Sequence, residues 1–354
     1  MNKLVIIGNG FDLAHGLPTS YKDFILWHIN KVYQMNYSGK TESNLIEIET
    51  DFDRRDFSDI SKYEDYKKLK ELNGQEKGFN FIVKGKHYFI DSLLTSIDKY
   101  GWVDIEKAYF NSLNSGRTEA AAKELNECMR FVIDELKEYL SGIDKTNDST
   151  LHDFKEILRS EAETVSSEEY FLVLNFNYTT TIENYFGILP KRHEIIYIHG
   201  HIGNDKNPII FGYGDETDNS YTQLENRNVN TFLQYMKSFA YLQTSNYKEL
   251  FHYLDRMNRF ANPDKFDVVI MGHSCGLSDR LLFTHIFEHE ALNSVKIYYY
   301  EYLNEKKNEI ENDFIDKTQN ISRYFKNEQK HKMRKIIIPF NESQPLPQVK
   351  QKTN

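Results

Sequence analysis

Apolar residues along the chain follow two rhythms. Short runs that are apolar at nearly every position, each closed by Gly, Asn, His or another polar residue, predict strands. These are Leu4–Ile7 before Gly8-Asn9-Gly10, Phe171–Leu174 before Asn175-Phe176-Asn177, and Ile195–Ile198 before His199-Gly200. Ile209–Phe211 before Gly212, Val268–Met271 before Gly272-His273-Ser274, and Val295–Tyr300 complete the series, and Ile336–Ile338 is a candidate late strand. Between them, apolar residues recur every three or four positions over Phe89–Tyr100, Ile105–Leu113, Ala120–Leu140, Tyr247–Phe260 and Asp279–Leu292, which predicts helices.

Strands that are apolar throughout suit a parallel sheet buried on both faces. One strand, a long helical insertion and then four or five strands with crossovers predict a Rossmann-like α/β fold with large helical insertions. Residues 1–24 and 166–340 would form the core, interrupted by a helical insertion at about 217–262, while residues 25–165 form a mostly helical insertion. The polar, mixed-charge stretch 36–78 belongs to that insertion. The charge-dense stretch 305–335 reads as mostly surface helix and residues 341–354 as a polar tail.

Composition narrows the function classes. The 354 residues carry 44 Lys and Arg against 53 Asp and Glu, a net charge of −9 that disfavours a general nucleic-acid binder. No apolar run reaches the roughly 20 residues of a membrane-spanning helix. The first residues, with only Lys3 before a short strand, do not read as a signal peptide, so the expected location is the cytoplasm. Cys128 and Cys275 are the only cysteines, too few for a disulfide framework or a four-cysteine zinc site. His285 and His289 lie four apart without the glutamate of a zinc-protease helix, and no metal is expected.

Ligands of an open parallel sheet bind at the carboxyl ends of its strands. Here those ends carry Gly8, Asn9, Gly10, Asn175, Asn177, His199, Gly212, Gly272, His273 and Ser274, more polar and small residues than a purely structural sheet requires. The turn Gly8-Asn9-Gly10-Phe11-Asp12-Leu13 has two glycines of the dinucleotide fingerprint, but Leu13 stands where the third belongs. An amide at Asn177 and an imidazole at His199 facing one crevice would orient a water and accept its proton; a satisfied core histidine is the alternative for His199. Gly272-His273-Ser274-Cys275-Gly276 matches a nucleophile elbow, with Asp313 and His331 as the partners a serine hydrolase through Ser274 would need. Otherwise Ser274 would bind a ribose or phosphate, Ser278 would cap the next helix, and Asp279 would favour its first turn. The basic run Lys326, Lys330, Lys332, Arg334 and Lys335 reads as a solvated face or a contact for phosphate.

Together these motifs resemble those of sirtuins. Gly8-Asn9-Gly10 with Gly16-Leu17-Pro18 is similar to the sirtuin opening, Asn175-Phe176-Asn177-Tyr178-Thr179 to T-x-N-Y-D, His199-Gly200 to the following H-G, and Gly272-His273-Ser274 to the later G-x-S. The longer opening from Ile7 to Phe24 resembles the AbiH family of bacterial abortive-infection proteins, as do the phrases around Asn177, His199 and Gly212. The resemblance implies an anti-phage effector with a sirtuin-related core that cleaves NAD, or a related nucleotide, at its N-glycosidic bond. Asn177 and His199 would then be catalytic, with Asn177 placing the ribose or water and His199 acting as general base. Gly8, Asn9, Gly10, Asp12, Gly272, His273, Ser274 and Asp279 would bind the nucleotide, and the Gly8–Gly10 backbone would hold its pyrophosphate. Thr179 replaces the motif's Asp, and two cysteines exclude the sirtuin zinc module, which argues against protein deacetylation. A phage-derived trigger and a homo-oligomer are compatible partners. A non-catalytic nucleotide sensor is the alternative from another class, and a nuclease is a further one.

Overall fold

A computed structural model describes residues 1–37, 43–50, 59–60, 62–73, 75, 79–116, 118–144, 150–214, 219–256, 265–304 and 307–349. The chain divides into two compact units. One, the sheet unit, comprises Met1–Leu17, Ile143–Ile210 and Lys237–Asn354; the other, the helical unit, comprises Pro18–Gly142 and Phe211–Met236.

Five parallel strands form the sheet unit: β1 (Asn2–Ile7), β2 (Phe171–Asn175), β3 (His193–Tyr197), β4 (Phe266–Met271) and β5 (Leu292–Tyr298). Their spatial order is β3-β2-β1-β4-β5. The order reverses between β1 and β4, which is where an open α/β sheet leaves a crevice for ligand. Register aligns the exits, because Ile7 lies opposite both Asn175 and Met271, and Asn175 lies opposite Tyr197. The turns after β1, β2, β3 and β4 therefore emerge at one edge.

Side chains of successive strand residues point to opposite faces. Leu4, Ile6, Leu172, Leu174, Val268 and Ile270 pack on one face with Leu250, Leu254, Phe283 and Phe287 from helices Asn246–Arg256 and Arg280–Glu288. Val5, Ile7, Val173, Val269 and Met271 pack on the other with Phe154 and Leu158 from helix His152–Glu163. Coverage on both faces explains the uninterrupted apolar runs and supports the Rossmann-like α/β expectation. That second face also buries a charge cluster: Glu161 accepts from Lys3 at 2.5 Å, and from Lys296 and the Tyr298 hydroxyl at 2.8 Å each. Burial raises the Glu161 pKa, but the two ammonium groups outweigh it and hold the carboxyl below its usual range.

The helical unit holds an antiparallel pair, Ile46–Thr50 with Phe81–Gly85, and helices that include Tyr21–Tyr37, Tyr88–Tyr100 and Ile105–Ser115, as well as most of Glu119–Asp144. Aromatic residues Tyr33, Tyr66, Tyr109, Phe81 and Phe89 are fully buried in it.

Some expectations fail for local reasons. Ile209–Phe211 is not a strand: the Ile210 N–H donates to the His199 carbonyl at 2.7 Å, its carbonyl accepts from the Tyr178 hydroxyl, and Pro208 has no N–H for a ladder. Ile337 and Val295 form only an isolated bridge, after a helix at Lys330–Ile336. The stretch 305–335 contains a hairpin strand, Glu309–Asn312, before its helices. Leu346, in the expected tail, is buried and donates its N–H to the Tyr299 carbonyl at 2.7 Å. Part of the 36–78 stretch, the end of the 247–260 helix and the last five residues lie outside the described residues.

Removing one partner of a buried ion pair leaves an uncompensated charge, whereas replacing the whole cluster by apolar groups does not. Glu161→Ala is therefore expected to cost about 3 kcal/mol in denaturant unfolding, with Lys3→Met/Glu161→Leu/Lys296→Met recovering most of it. A loss below about 1 kcal/mol for the single variant would contradict that account.

Candidate functional site

The exits of β1 and β4 meet backbone to backbone. Gly8 donates its N–H to the Met271 carbonyl at 3.2 Å, and Gly10 donates to the Gly272 carbonyl at 2.8 Å. A Cβ on Gly10 would lie 2.7 Å from the Gly272 oxygen, and one on Gly8 2.6 Å from the His273 ring. Gly272 has φ 73°, and a Cβ there would sit 2.1 Å from the Phe11 nitrogen. All three positions exclude a side chain, and Gly272 also adopts the left-handed conformation that favours glycine. These glycines thus join two loops at the switch point. The Gly8 and Gly10 amides, expected to hold a pyrophosphate, donate to protein carbonyls instead.

From the short helix Asn9–Ala14, Asp12 turns inward and is 1% exposed. Its Oδ2 accepts from the Thr179 hydroxyl at 2.5 Å, while its Oδ1 has no hydrogen-bond partner among the described residues. Thr181, Asn177 and the carboxyl of Asp144 also act on it. Burial, helped by the Asp144 carboxyl, pushes the Asp12 pKa up to about 6 against the Thr179, Thr181 and Asn177 hydrogen bonds. Thr179 occupies the place where the resembling motif has Asp; a carboxylate reaches that spot from Asp12. Asn177 itself is buried just past β2, with its N–H bonded to the Asn175 side chain at 3.0 Å.

A second cluster lies past β3 and β4. His199 Nε2 is 2.9 Å from Asp279 Oδ1 and 3.0 Å from the Tyr241 hydroxyl. The same Asp279 oxygen accepts from Tyr241 at 2.9 Å and pairs with Lys237 Nζ at 3.0 Å, while Asp279 Oδ2 accepts from Ser278 at 2.9 Å. Burial raises the Asp279 pKa, but the Lys237 charge and then His199 hold the carboxyl well below the carboxylate range. Burial and the Lys237 charge lower the His199 pKa. His199 is therefore neutral, and its Nε2 faces an acceptor. Gly200 fixes the turn beside it: φ is 69°, and a Cβ would lie 2.1 Å from the Pro208 oxygen.

The expected site residues thus separate. Asp12 and Asn177 come together, as do His199 and Asp279, while Gly8, Gly10 and Gly272 form the junction. Asn9 is exposed. His273 is buried between Phe176 and Phe283, with ring centroids 4.3 and 5.0 Å away, and its Nδ1 accepts the Cys275 N–H. Burial lowers its pKa to about 4, so it is a neutral packing histidine. Ser274 is exposed, and the left-handed residues of its turn are Gly272 and Cys275, not Ser274 as a nucleophile elbow requires. Asp313 bonds Lys317 and the Tyr300 N–H, and His331 bonds the Glu328 carbonyl of its own segment. Those partners do not form a hydrolase triad. Ser278 donates to Asp279 rather than capping a helix, and Lys332 of the basic run binds the Glu288 and His289 carbonyls that end a helix. Sequence reasoning missed Asp144, Thr181, Lys237 and Tyr241.

A five-stranded parallel sheet with this strand order, covered by helices on both faces, defines a Rossmann-like α/β protein. The model of the family described as bacteriophage abortive infection AbiH matches residues 4–302, and the chain belongs to that family. Its role is accordingly in phage defence by abortive infection. No curated protein matches the chain. Among the described residues no helix is long and apolar enough to cross a membrane.

The raised Asp12 pKa has a consequence for stability. In the unfolded chain this carboxyl ionises near 3.8, and in the folded protein near 6. Its contribution is therefore fully present below pH 3.8 and is lost as the pH rises through about 6, a change on the order of 3 kcal/mol. Asp12→Asn is expected to unfold at higher denaturant concentration than the wild type at pH 8, with the advantage gone below pH 4. The same pH dependence in both proteins would contradict the uncompensated burial of this carboxyl.

Proposed function

We propose that the sheet unit is the effector of this abortive-infection protein and hydrolyses the N-glycosidic bond of NAD or a related nucleotide at the exits of β1, β2 and β3. The observation that carries the proposal is the buried Asp12 carboxyl, with one oxygen uncommitted, beside Asn177 at the strand ends. Departure of nicotinamide leaves positive charge on the ribose. A carboxylate held out of water stabilises such a charge far more than the same group in bulk solvent. Asn177 places the ribose or the attacking water, and His199, in its network with Asp279, Tyr241 and Lys237, fixes the neighbouring exit. The pyrophosphate is held by groups other than the Gly8 and Gly10 amides, which are already donating. The second reading is a nucleotide sensor without turnover.

Incubating the purified protein with NAD, with and without phage lysate, and measuring nicotinamide separates the two. Release of nicotinamide that falls about 100-fold in Asn177→Ala is the expected result, the size of effect that misplacing a reacting group produces. An undiminished rate in the Asn177→Ala/His199→Ala protein would remove both residues from the chemistry. Tight binding without release, with lysate present, would establish the sensor.

A further inference from the structure

Resting on that reading, we infer that Asp12 is the general base of the reaction and that His199 is a positioning residue. Two side chains at the strand exits are available for the part, and their surroundings decide between them. His199 Nε2 already faces Asp279 Oδ1 and the Tyr241 hydroxyl. Taking a proton there would break its bond to Asp279 or create an imidazolium beside the Lys237 ammonium, which is 3.0 Å from the same carboxylate oxygen. Asp12 is the opposite case. Its Oδ2 is fixed by Thr179, which orients the carboxyl plane, and its Oδ1 is buried with no partner among the described residues. An unpaired buried acceptor is unfavourable in the resting protein, and a water or ribose hydroxyl donating to Oδ1 would relieve that penalty.

The groups facing Asp12 fit the part. Asn177, Thr179 and Thr181 follow β2, and Asp144 ends the helix Glu119–Asp144. Asp144 is itself anchored, accepting from the Thr180 N–H at 2.8 Å and its hydroxyl at 3.0 Å. Tyr197, on β3, is within electrostatic reach of Asp12 and donates its hydroxyl to Glu183 at 2.7 Å. These neighbours include hydroxyls, an amide and carboxyls but no cation, so Asp12 keeps enough basicity to take a proton near neutral pH.

A water held by Asp12 Oδ1 attacks C1′ of the nicotinamide-bearing ribose, and the water proton passes to Oδ1. The C1′–N bond breaks with its electron pair moving to the pyridinium nitrogen, which leaves as neutral nicotinamide. The products are nicotinamide and ADP-ribose, and Asp12 returns its proton to solvent. A cationic leaving group needs no protonation, so a single uncommitted carboxyl suffices. The inferred substrate class is therefore an N-ribosylpyridinium nucleotide.

Two measurements test this on the full-length protein. The pH profile of NAD hydrolysis is expected to rise through pH 6, the limb shifting in Asp12→Glu and the rate falling at least about 100-fold in Asp12→Asn. His199→Gln is expected to lower the rate with the limb unmoved. Carbon NMR titration of the Asp12 carboxyl, with and without ADP-ribose, is read without any turnover; the nucleotide is expected to displace its titration midpoint. Wild-type rates in a folded Asp12→Asn protein, or a limb that moves with His199→Gln, would overturn the assignment while leaving nucleotide hydrolysis intact. A wild-type protein that neither cleaves NAD nor shows an Asp12 response to ADP-ribose would overturn the assignment and the proposed function together.

Discussion

The junction between Gly8–Phe11 and Gly272–His273 is the constraint on which the sheet unit depends. Two loops that leave adjacent parallel strands ordinarily diverge and leave a crevice. Here Gly10 bonds the Gly272 carbonyl at 2.8 Å, and three positions have no room for a Cβ. The close approach turns the first residues of the following short helix so that Asp12 points toward the exit of β2, where Thr179 receives it. It also seats the His273 ring against Phe176, the residue that links the exits of β2 and β4. Change the glycines, and the carboxyl and the aromatic packing shift together.

Two buried clusters at these exits handle charge in opposite ways. Around Asp279, a lysine, a histidine, a tyrosine and a serine satisfy the carboxylate, which stays ionised at any ordinary pH. Such a network is rigid, and breaking it would take a buried ammonium away from its carboxylate. Around Asp12 the hydrogen bonds are incomplete, a second carboxyl adds repulsion, and the proton affinity rises. A satisfied network orders structure, whereas an unsatisfied one stores free energy that a bound molecule can release. That contrast underlies the positioning role proposed for His199 and the chemical role proposed for Asp12, one in the turn after β3 and the other in the short helix after β1.

Much of the fold was legible in the sequence because its causes are local. Runs such as Leu4–Ile7 and Val268–Met271 are apolar throughout because helices cover both faces, and their closing glycines and asparagines mark the exits. Ile209–Phe211 shows the same pattern yet is no strand, since a run of three residues cannot reveal whether a ladder partner exists. The site was legible in part. Asn177, His199 and Asp12 stood out by position, but their states did not, since burial, Thr179 and Asp144 reach Asp12 from distant parts of the chain. Lys237 and Tyr241 left no local signal: neither stands at a strand end or in a motif, and a lone lysine in a helical stretch is ordinarily solvated. The two glycines of the first turn suggested phosphate, and only the position of Gly272 reveals that they close a backbone contact.

A nucleotide bound as proposed has its scissile ribose at Asp12 and leaves the glycine junction intact. A crystal structure of the Asn177→Ala protein with NAD tests it most directly. The expected result is ribose C1′ beside Asp12 Oδ1, with the Gly10 N–H still bonded to the Gly272 carbonyl. A pyrophosphate seated on the Gly8 and Gly10 amides with that bond broken, or a nucleotide bound away from Asp12, would contradict it.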